Sequence, residues 1–518
     1  MAADHGSVIT IVKYELMISM LSLVIWWWFA WAWKKREKGI LPLPPGPRGL
    51  PLVGYLPFVR PDLHRFYAEL ARTYGPIFSL RLGSKLCVVL SSPSLAKEIF
   101  KDQDTIFANH DPPQFGWIMA SGGSDMVWSP NGPLWRLVRK TCVREVMATS
   151  KLNATSGIRR LEVRELVHDV YLKVGTRVDV AEKAFVAALN VISSTIWGGK
   201  LHGEEKDRIG AEFRRVVDDV VEQLGKPNVS DFFPLLARFD LQGFSLKAKG
   251  NLQWFDRIFD PMINERLKTD EGDSKSRGNE DILQTLLRTY KEGGDADTAL
   301  SLNQVKALIV DLVLAGTDTT STTIEWTMAQ MLKQPEIMRK VQREVDRVVG
   351  LHQIVEEFHV PELHYLKAVV KEVMRLYPVA PLLIPRRPSQ TSVVGGYTIP
   401  EGTQVVVNSW VIHRDPQLWD DPLEFRPERF LNDGSKLDSS VNDFRYLPFG
   451  SGRRVCVGIP LAERLTLYVL ASLLHSFNWQ LPQGTKPDMS EKFGIVMKKI
   501  VPLEAIPTPR LSDPKVYD

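Results

Sequence analysis

The sequence contains few of the residues that build metal clusters or disulfide frameworks. Its 518 residues include three cysteines, Cys87, Cys142 and Cys456, and no two of them form a C-x-x-C pair. The ten histidines do not cluster with the cysteines, so we expect neither a zinc site nor a disulfide network. Sparse, unpaired cysteines are typical of a domain that folds in a reducing compartment.

A strong excess of charge of either sign is also missing. The sequence has 65 lysine and arginine residues against 61 aspartate and glutamate residues, a formal net charge of +4. A nucleic-acid-binding protein normally concentrates far more basic charge, so nucleic acid is not an expected partner. Hydrophobic residues make up 44% and charged residues 24%, which is the balance of an ordinary globular protein.

One long uncharged run stands near the N-terminus, from Leu16 to Trp33. It is about long enough to cross a bilayer as a helix, and basic residues follow it directly. Positive charge on this flank places the rest of the chain in the cytosol, so we predict a membrane anchor with a basic flank over residues 1–38. The alternative is the cleaved signal peptide of a secreted protein, although such a peptide carries its positive charge before the apolar run.

The remainder of the chain reads as a hinge and one domain. Residues 39–60 are rich in proline and glycine and are expected to form a semi-rigid spacer or a docked strap. Residues 61–518 show no break in composition, and their apolar spacing predicts a single domain of mainly helices with small β-sheets. We expect a β-hairpin from Ile77 to Leu90 and a long helix opened by a capping box at Ser301 and Gln304.

The segment from Phe449 to Gly458 surrounds Cys456 with glycine and arginine. Glycines let the backbone turn tightly, and Arg453 and Arg454 are expected to lower the pKa of the neighbouring thiol. Helical spacing resumes at Ile459, so the cysteine also precedes a helix N-terminus, whose dipole favours thiolate. Thiolate is the form that ligates metal, but a redox-sensitive thiol or a plain buried cysteine also fits these residues.

This segment resembles the haem-binding loop of the cytochromes P450, F-x-x-G-x-R-x-C-x-G. Every fixed position of the loop is matched, by Phe449, Gly452, Arg454, Cys456 and Gly458. The resemblance implies the mainly helical, single-domain haem-thiolate fold and haem b as cofactor. It also implies that Cys456 is the axial thiolate of the haem and that Arg454 contacts a haem propionate.

Two further segments resemble other haem contacts of the family. Trp135 and Arg139 match its W-x-x-x-R motif, and on a helix this spacing lets the indole N–H and the guanidinium both reach a propionate. Arg386 stands where relatives place another propionate partner. An ordinary amphipathic helix would also explain the first pair if it stood alone.

The family's structural charge triad is also matched. Glu372 and Arg375 resemble the E-x-x-R pair, and a spacing of three places both charges on one helix face. Arg429, in a segment that resembles F-x-P-E-R-F, would complete the triad.

The long helix carries Ala315-Gly316-Thr317-Asp318-Thr319-Thr320, which resembles the family's oxygen-binding motif. Glycine and a run of threonines are poor helix formers, and such a local inconsistency usually marks a functional site. We expect Gly316 to let the helix bulge and a threonine hydroxyl to bond back to a carbonyl. The result would be a groove for oxygen lined by the acid Asp318 and the alcohol Thr319, which would relay protons.

Residues 442–447 and 459–464 resemble plant microsomal hydroxylases of flavonoids and terpenoids. This resemblance implies a monooxygenase in the endoplasmic reticulum membrane that inserts one atom of O2 into a flavonoid or sesquiterpenoid. Electrons would come from NADPH through NADPH–cytochrome P450 reductase, because the chain shows no G-x-G-x-x-G motif of its own. A haem-thiolate isomerase or dehydratase and a non-catalytic haem or lipid carrier remain alternatives. Family comparison places the pocket lining in residues 111–120, 312–315, 379–384 and 493–497.

Overall fold

This computed structural model describes residues 41–197, 203–269, 281–292, 300–431 and 443–517, together with Glu15, Ser19 and Ser22. Apart from those three positions, the predicted anchor over residues 1–38 lies outside the described residues. No helix within the described part of the chain is long and apolar enough to cross a membrane. The anchor therefore stays a prediction.

Helices make up most of the described chain. The α-helices are α1 (Leu63–Tyr74), α2 (Pro93–Lys97), α3 (Gln114–Met119), α4 (Pro133–Thr141), α5 (Thr149–Ala154), α6 (Ser156–Tyr171), α7 (Val180–Trp197), α8 (Gly203–Gly225), α9 (Val229–Phe232), α10 (Phe244–Thr269), α11 (Ile282–Glu292), α12 (Leu302–Lys333), α13 (Pro335–Val349), α14 (His364–Leu376), α15 (Ser409–Ile412) and α16 (Ile459–Ser476). Short 3-10 helices occupy Leu56–Phe58, Pro234–Phe239, Glu357–Glu362, Pro427–Phe430, Gly452–Arg454 and Pro514–Tyr517, and π-helical turns occupy Glu98–Asp102 and Cys142–Val146.

The strands are short and form small sheets. They are β1 (Ile77–Leu82), β2 (Lys85–Leu90), β3 (Asn109–His110), β4 (Val178–Asp179), β5 (Arg386–Arg387), β6 (Ser392–Val394), β7 (Tyr397–Ile399), β8 (Gln404–Val407), β9 (Phe477–Gln480), β10 (Glu491–Lys492), β11 (Lys498–Lys499) and β12 (Glu504–Pro509). The largest sheet has the order β1-β2-β8-β5-β3. In it β8 runs parallel to β2, and His110 of β3 lies opposite Arg386 of β5.

The predicted hairpin is confirmed as β1 and β2, which pair antiparallel from Ile77 opposite Leu90 to Leu82 opposite Lys85. Cys87 lies in the second strand and is fully buried, as expected for a small core residue. The proline-rich segment is docked as a strap on this hairpin. The backbone N–H of Ser79 donates to Pro45 O (2.7 Å), and its hydroxyl donates to Pro44 O (2.7 Å).

The predicted long helix is confirmed as α12, which runs for 32 residues. Ser301 Oγ accepts a hydrogen bond from Gln304 N (3.3 Å), and the Gln304 side chain accepts one from Ser301 N (2.7 Å). These two bonds form the expected capping box and satisfy two backbone donors that a helix start leaves free. The helix ends at Lys333, and Pro335 begins α13 because proline is compatible with a first turn but not with a helix interior.

The largest hydrophobic core lies where α12 meets α7, α14 and α16, and it includes Ala187, Val369 and Leu470 from those helices. Trp326 of α12 is fully buried there and stacks on Tyr377, with 4.3 Å between ring centroids. The many helices and the small sheets confirm the expected mainly helical fold.

The expected charge triad is present at the end of α14. Both carboxylate oxygens of Glu372 accept hydrogen bonds from Arg375, at 2.7 and 2.9 Å, and both side chains are fully buried. Arg429 completes the triad with Nε 3.2 Å from Glu372 Oε1. Arg375 also donates to three carbonyl oxygens of the chain that follows, namely those of His413, Pro422 and Glu424. The triad therefore holds the irregular segment 413–424 against the end of α14.

Candidate active site

A cavity separates α12 from the loop that precedes α16. Its volume, counted as the space open to the centre of a water molecule, is about 320 Å³. Ala315, Gly316 and Thr319 line it from α12, and Phe449 and Cys456 line it from the loop. Most of the other lining side chains are aliphatic, among them Met126, Val146, Ile192, Leu312, Val379, Ile384, Val457 and Leu461. Of the four stretches expected to form the pocket, 312–315 and 379–384 contribute lining residues and 111–120 and 493–497 do not.

The cysteine loop is closed by its own backbone. The N–H of Cys456 donates to the carbonyl of Phe449 (3.1 Å), so the two ends of the segment meet. Gly452 has φ of 73°, and a Cβ built there would lie 2.5 Å from Phe100 O and 2.6 Å from a carboxylate oxygen of Asp104. Both its conformation and its contacts therefore require glycine. The predicted helix after the cysteine is confirmed as α16, which begins at Ile459.

The Cys456 thiol faces the cavity. Its side chain is exposed, but the exposed surface lines the cavity inside the protein. Burial within the fold therefore raises the pKa of the thiol. The backbone N–H groups of Gly458 and Ile459 and the Arg139 guanidinium oppose this and favour thiolate. The expected effect of the helix start is thus present.

The expectation that the two adjacent arginines lower the thiol pKa is wrong. Arg453 forms an ion pair with Asp104 (3.0 Å). Arg454 instead donates to three backbone carbonyls, those of Ala108 (2.7 Å), Met126 (3.0 Å) and Ser129. Adjacency in sequence does not bring these side chains to the sulfur, because the backbone turns between them.

Three arginines predicted to bind haem lie close together beside the loop. Arg139 donates to Val455 O (2.7 Å) and Arg386 to Ser451 O (3.2 Å), while Arg454 makes the three carbonyl contacts given above. Burial, and then the mutual repulsion of these charges, lower the pKa of Arg386 to about 10 and that of Arg454 to about 9. Within the described residues, none of the three lies within 4 Å of a carboxylate oxygen. The cluster therefore has positive charge without a direct ion pair, although Asp104 acts on Arg386 and Asp125 on Arg454 from a greater distance.

Trp135 belongs to the same cluster but makes a different contact from the one expected. Its ring lies 4.1 Å from the Arg454 guanidinium carbon and 5.6 Å from that of Arg139, so it supports both cations. Its indole N–H donates to Met126 O (3.1 Å) rather than standing free for a propionate. Its observed role is to position the two arginines.

Sequence reasoning missed His110, which joins this cluster through the β3–β5 register. It is buried, and its Nδ1 donates to Val127 O (2.6 Å). Burial and the nearby Arg386 and Arg454 hold the pKa of its imidazole well below the usual value, so it is neutral. No motif marks it, because only strand pairing brings it opposite Arg386.

The threonine motif on α12 behaves partly as expected. Thr319 lines the cavity, and its hydroxyl donates back to Ala315 O (2.6 Å). The helix does not bulge, because α-helical geometry continues through the whole motif. Gly316 has another reason to be small: a Cβ there would lie 2.5 Å from Ile192 Cδ1 of α7. Its glycine allows two helices to approach closely.

Asp318 does not line the groove beside Thr319, and that expectation is corrected. Its Oδ1 lies 2.5 Å from Lys498 Nζ on β11, and Lys498 also binds Asp218 of α8 (2.8 Å). Burial raises the pKa of the Asp318 carboxyl, and Lys498 opposes that shift. Successive helix positions are separated by about 100°, so Asp318 is turned away from the part of the cavity that Thr319 lines and toward α8 and β11.

Comparison with known proteins shows which family the chain belongs to. The family model described as Cytochrome P450 matches residues 44–504. The chain belongs to the cytochrome P450 family. This P450 is 39% identical to a geraniol 8-hydroxylase of Catharanthus roseus over 90% of this chain and 94% of the relative. It is 36% identical to a flavonoid 3'-monooxygenase of Crocosmia x crocosmiiflora over 93% of this chain and 95% of the relative.

Solved structures agree. A zebra fish cytochrome P450 with progesterone superposes with a TM-score of 0.75 at 28% identity, over 86% of this chain and 99% of that one. The protein is thus a cytochrome P450 monooxygenase similar to plant P450s of specialised metabolism, and it uses O2, a hydrophobic substrate and a redox partner. Its cofactor is haem b.

The residues present fit that cofactor. Haem b carries two carboxylates, and the arginine cluster, which has no direct ion pair, offers them cationic donors. A thiol lies on the wall of an apolar cavity, and two backbone N–H groups stabilise its ionised form. The thiol thus suits the metal, the apolar cavity suits the ring, and the arginine cluster suits the carboxylates of the haem.

Proposed function

We propose that this P450 hydroxylates a terpenoid, with electrons delivered from NADPH by a membrane-bound NADPH–cytochrome P450 reductase. The observation that carries the proposal is the apolar cavity that joins Cys456 to Thr319. Cys456 would ligate the haem iron as a thiolate, and Arg139, Arg386 and Arg454, supported by Trp135, would hold the propionates. The chemistry that haem b would supply is O2 activation at a thiolate-ligated iron, by which one oxygen atom enters a C–H bond and the other leaves as water, with two electrons from NADPH and two protons.

The chain's own residues would orient the substrate and supply protons. The aliphatic walls would exclude water, and those on the α12 side of the bound haem would hold an apolar chain. The hydroxyl of Thr319 is a proton-bearing group at the cavity surface, and it is held by its bond to Ala315 O. Asp318, one residue earlier and held by Lys498, would bring protons to Thr319 through water from the side of α8 and β11.

A terpenoid fits the cavity walls better than a flavonoid does. Of the described residues that line the cavity, Phe449 is the one with an aromatic side chain, so a flat flavonoid would find little to stack on. Flexible aliphatic chains pack well against aliphatic walls. Two relatives at 39% identity are named geraniol 8-hydroxylases and a third is named a geranylhydroquinone hydroxylase, which agrees with an isoprenoid substrate.

The proposal also covers the location of the protein in the cell and the division of the chain into three segments. Residues 1–38 would anchor the protein in the endoplasmic reticulum membrane, with residues 39–60 as the hinge and residues 61–518 as the catalytic domain in the cytosol. The uncharged run Leu16–Trp33 and the basic residues after it support this orientation. The strap bonds to Ser79 would fix the catalytic domain relative to the hinge.

The test is a binding and turnover screen of the haem-loaded full chain in membranes with the reductase. Terpenoid alcohols and flavones are compared by the spin-state shift of the haem and by the product formed with NADPH. We expect tight shifts and hydroxylated product with terpenoids. Product from flavones alone would overturn the substrate class, and conversion without O2 or NADPH would overturn the monooxygenation of the screened compound.

A further inference from the structure

A turn beside the arginine cluster is closed by an acid that the function described so far does not use. The turn, residues 125–129, lies between α3 and α4. Asp125 is 2% exposed, and its Oδ1 accepts hydrogen bonds from Trp128 N (2.9 Å) and Ser129 N (3.0 Å). An aspartate that accepts N–H groups a few positions ahead folds the backbone back on itself. These two bonds therefore fix the directions in which the carbonyl groups of the turn point.

Those carbonyl groups support the side chains of the cluster. Three of them accept hydrogen bonds from it: Met126 O from Arg454 Nη1 (3.0 Å) and Trp135 Nε1 (3.1 Å), Val127 O from His110 Nδ1 (2.6 Å), and Ser129 O from Arg454 Nη2. The Nε of Arg454 donates to Ala108 O (2.7 Å). A guanidinium has five N–H donors in one plane, so three are used here and two remain for an anionic ligand. The turn thus determines where those two donors point.

Asp125 also acts on Arg454 through its charge. Burial lowers the pKa of Arg454, and the negative charge of Asp125 opposes that shift. Burial raises the pKa of Asp125 itself to about 6, while the N–H groups of Trp128 and Ser129 and the charge of Arg454 oppose that rise. Asp311 of α12 is a second acid nearby, and burial and Asp125 raise its pKa well above the usual range. Asp125 is therefore ionised at pH 8.

We propose that Asp125 is a positioning residue for the haem, which acts through Arg454 by aiming its guanidinium at a propionate and by offsetting part of its charge. This inference rests on the role of Arg454 in the proposed function. A negative charge near the haem opposes the addition of an electron, so Asp125 should keep the reduction potential lower than the arginine cluster alone would set it. The two effects can be separated, because asparagine keeps an acceptor oxygen without the charge and alanine keeps neither.

The test measures two properties of the haem-loaded full chain without substrate at pH 8. One is the rate at which haem passes to an excess of a haem-free globin, and the other is the reduction potential of the iron. Asp125→Ala should lose haem about 10-fold faster or more, because a residue that holds a ligand in place typically changes affinity to that extent. Asp125→Asn should lose haem at nearly the wild-type rate but have a higher reduction potential. A role in folding alone would not move the potential of the asparagine variant.

Two further variants complete the test. Asp240→Asn is the matched control, because Asp240 also accepts two backbone N–H groups, those of Ser245 and Leu246 (3.0 Å each), and lies outside the cluster. It should change neither the rate of haem loss nor the potential. Arg454→Gln tests the role on which the inference rests, and it should lose haem faster than the wild type.

The outcomes separate the inference from the proposed function. If Arg454→Gln loses haem faster but Asp125→Asn has the wild-type potential, or Asp125→Ala loses haem at the wild-type rate, the role of Asp125 is overturned and that of Arg454 stands. If Arg454→Gln loses haem no faster than the wild type, the propionate site of the proposed function fails and the inference falls with it. Should Asp125→Ala yield no haem protein, the potential of Asp125→Asn decides.

Discussion

Glu372→Gln should strongly destabilise the folded protein, although it replaces only one side-chain oxygen by an NH2 group. Glu372 accepts four hydrogen bonds: two from Arg375, one from Arg429 Nε and one from Arg426 N. The amide removes the negative charge and turns one acceptor into a donor that faces the Arg375 guanidinium. Arg375 is fully buried, so its charge is left unpaired, which costs about 3–5 kcal/mol. Domains have about 5–15 kcal/mol of stability in total, so much of the folded protein should be lost.

The assay is the yield of haem-containing protein and the urea midpoint of its unfolding. Glu69→Gln is the control, because Glu69 also pairs with an arginine, Arg60 (2.8 Å), but both side chains are exposed. We expect no measurable change for this variant, since exposed pairs are screened by solvent. Glu372→Gln with wild-type haem yield and an unchanged midpoint would refute the reasoning that the triad fastens the segment behind the cysteine loop.

Three further outcomes follow from the site. Thr319→Ala should keep substrate binding but divert NADPH to hydrogen peroxide, and Thr319→Ser should recover part of the product formed per NADPH; unchanged coupling in the alanine variant would contradict the proton role. Lys498→Met should move the acidic limb of the pH–rate profile to higher pH, because Lys498 favours ionised Asp318; an unmoved limb would separate Asp318 from proton supply. Removal of residues 1–38 should shift the protein toward the soluble fraction with its haem spectrum intact, and loss of haem would place those residues in the fold.

Local rules account for the parts of the fold that the sequence predicts correctly. The hairpin at Gly83 and the start of α12 at Ser301 each depend on a few neighbouring residues, so pattern and capping chemistry are enough. The triad of Glu372, Arg375 and Arg429 could be placed because a family motif supplies its long-range partner.

The predictions from sequence that were wrong concern the directions in which side chains point. Arg453 and Arg454 are adjacent to Cys456 in sequence, yet the backbone turn carries them to Asp104 and to the carbonyls of another loop. Asp318 and Thr319 are adjacent on a helix and therefore face different neighbours. Arg139, distant in sequence, is the cation that acts on the thiol. Such contacts depend on tertiary packing, which a single sequence does not display.

The carbon monoxide difference spectrum of Cys456→Ser tests the central claim most directly. Cys456 faces the cavity with two N–H groups and one cation favouring its thiolate, whereas Cys87 and Cys142 are buried and burial raises the pKa of each thiol to about 12. We predict that Cys456→Ser loses the red-shifted spectrum of thiolate-ligated haem, and that Cys87→Ala and Cys142→Ala keep it. A red-shifted spectrum retained by Cys456→Ser, at matched protein and haem content, would contradict the assignment of the ligand and the active site built around it.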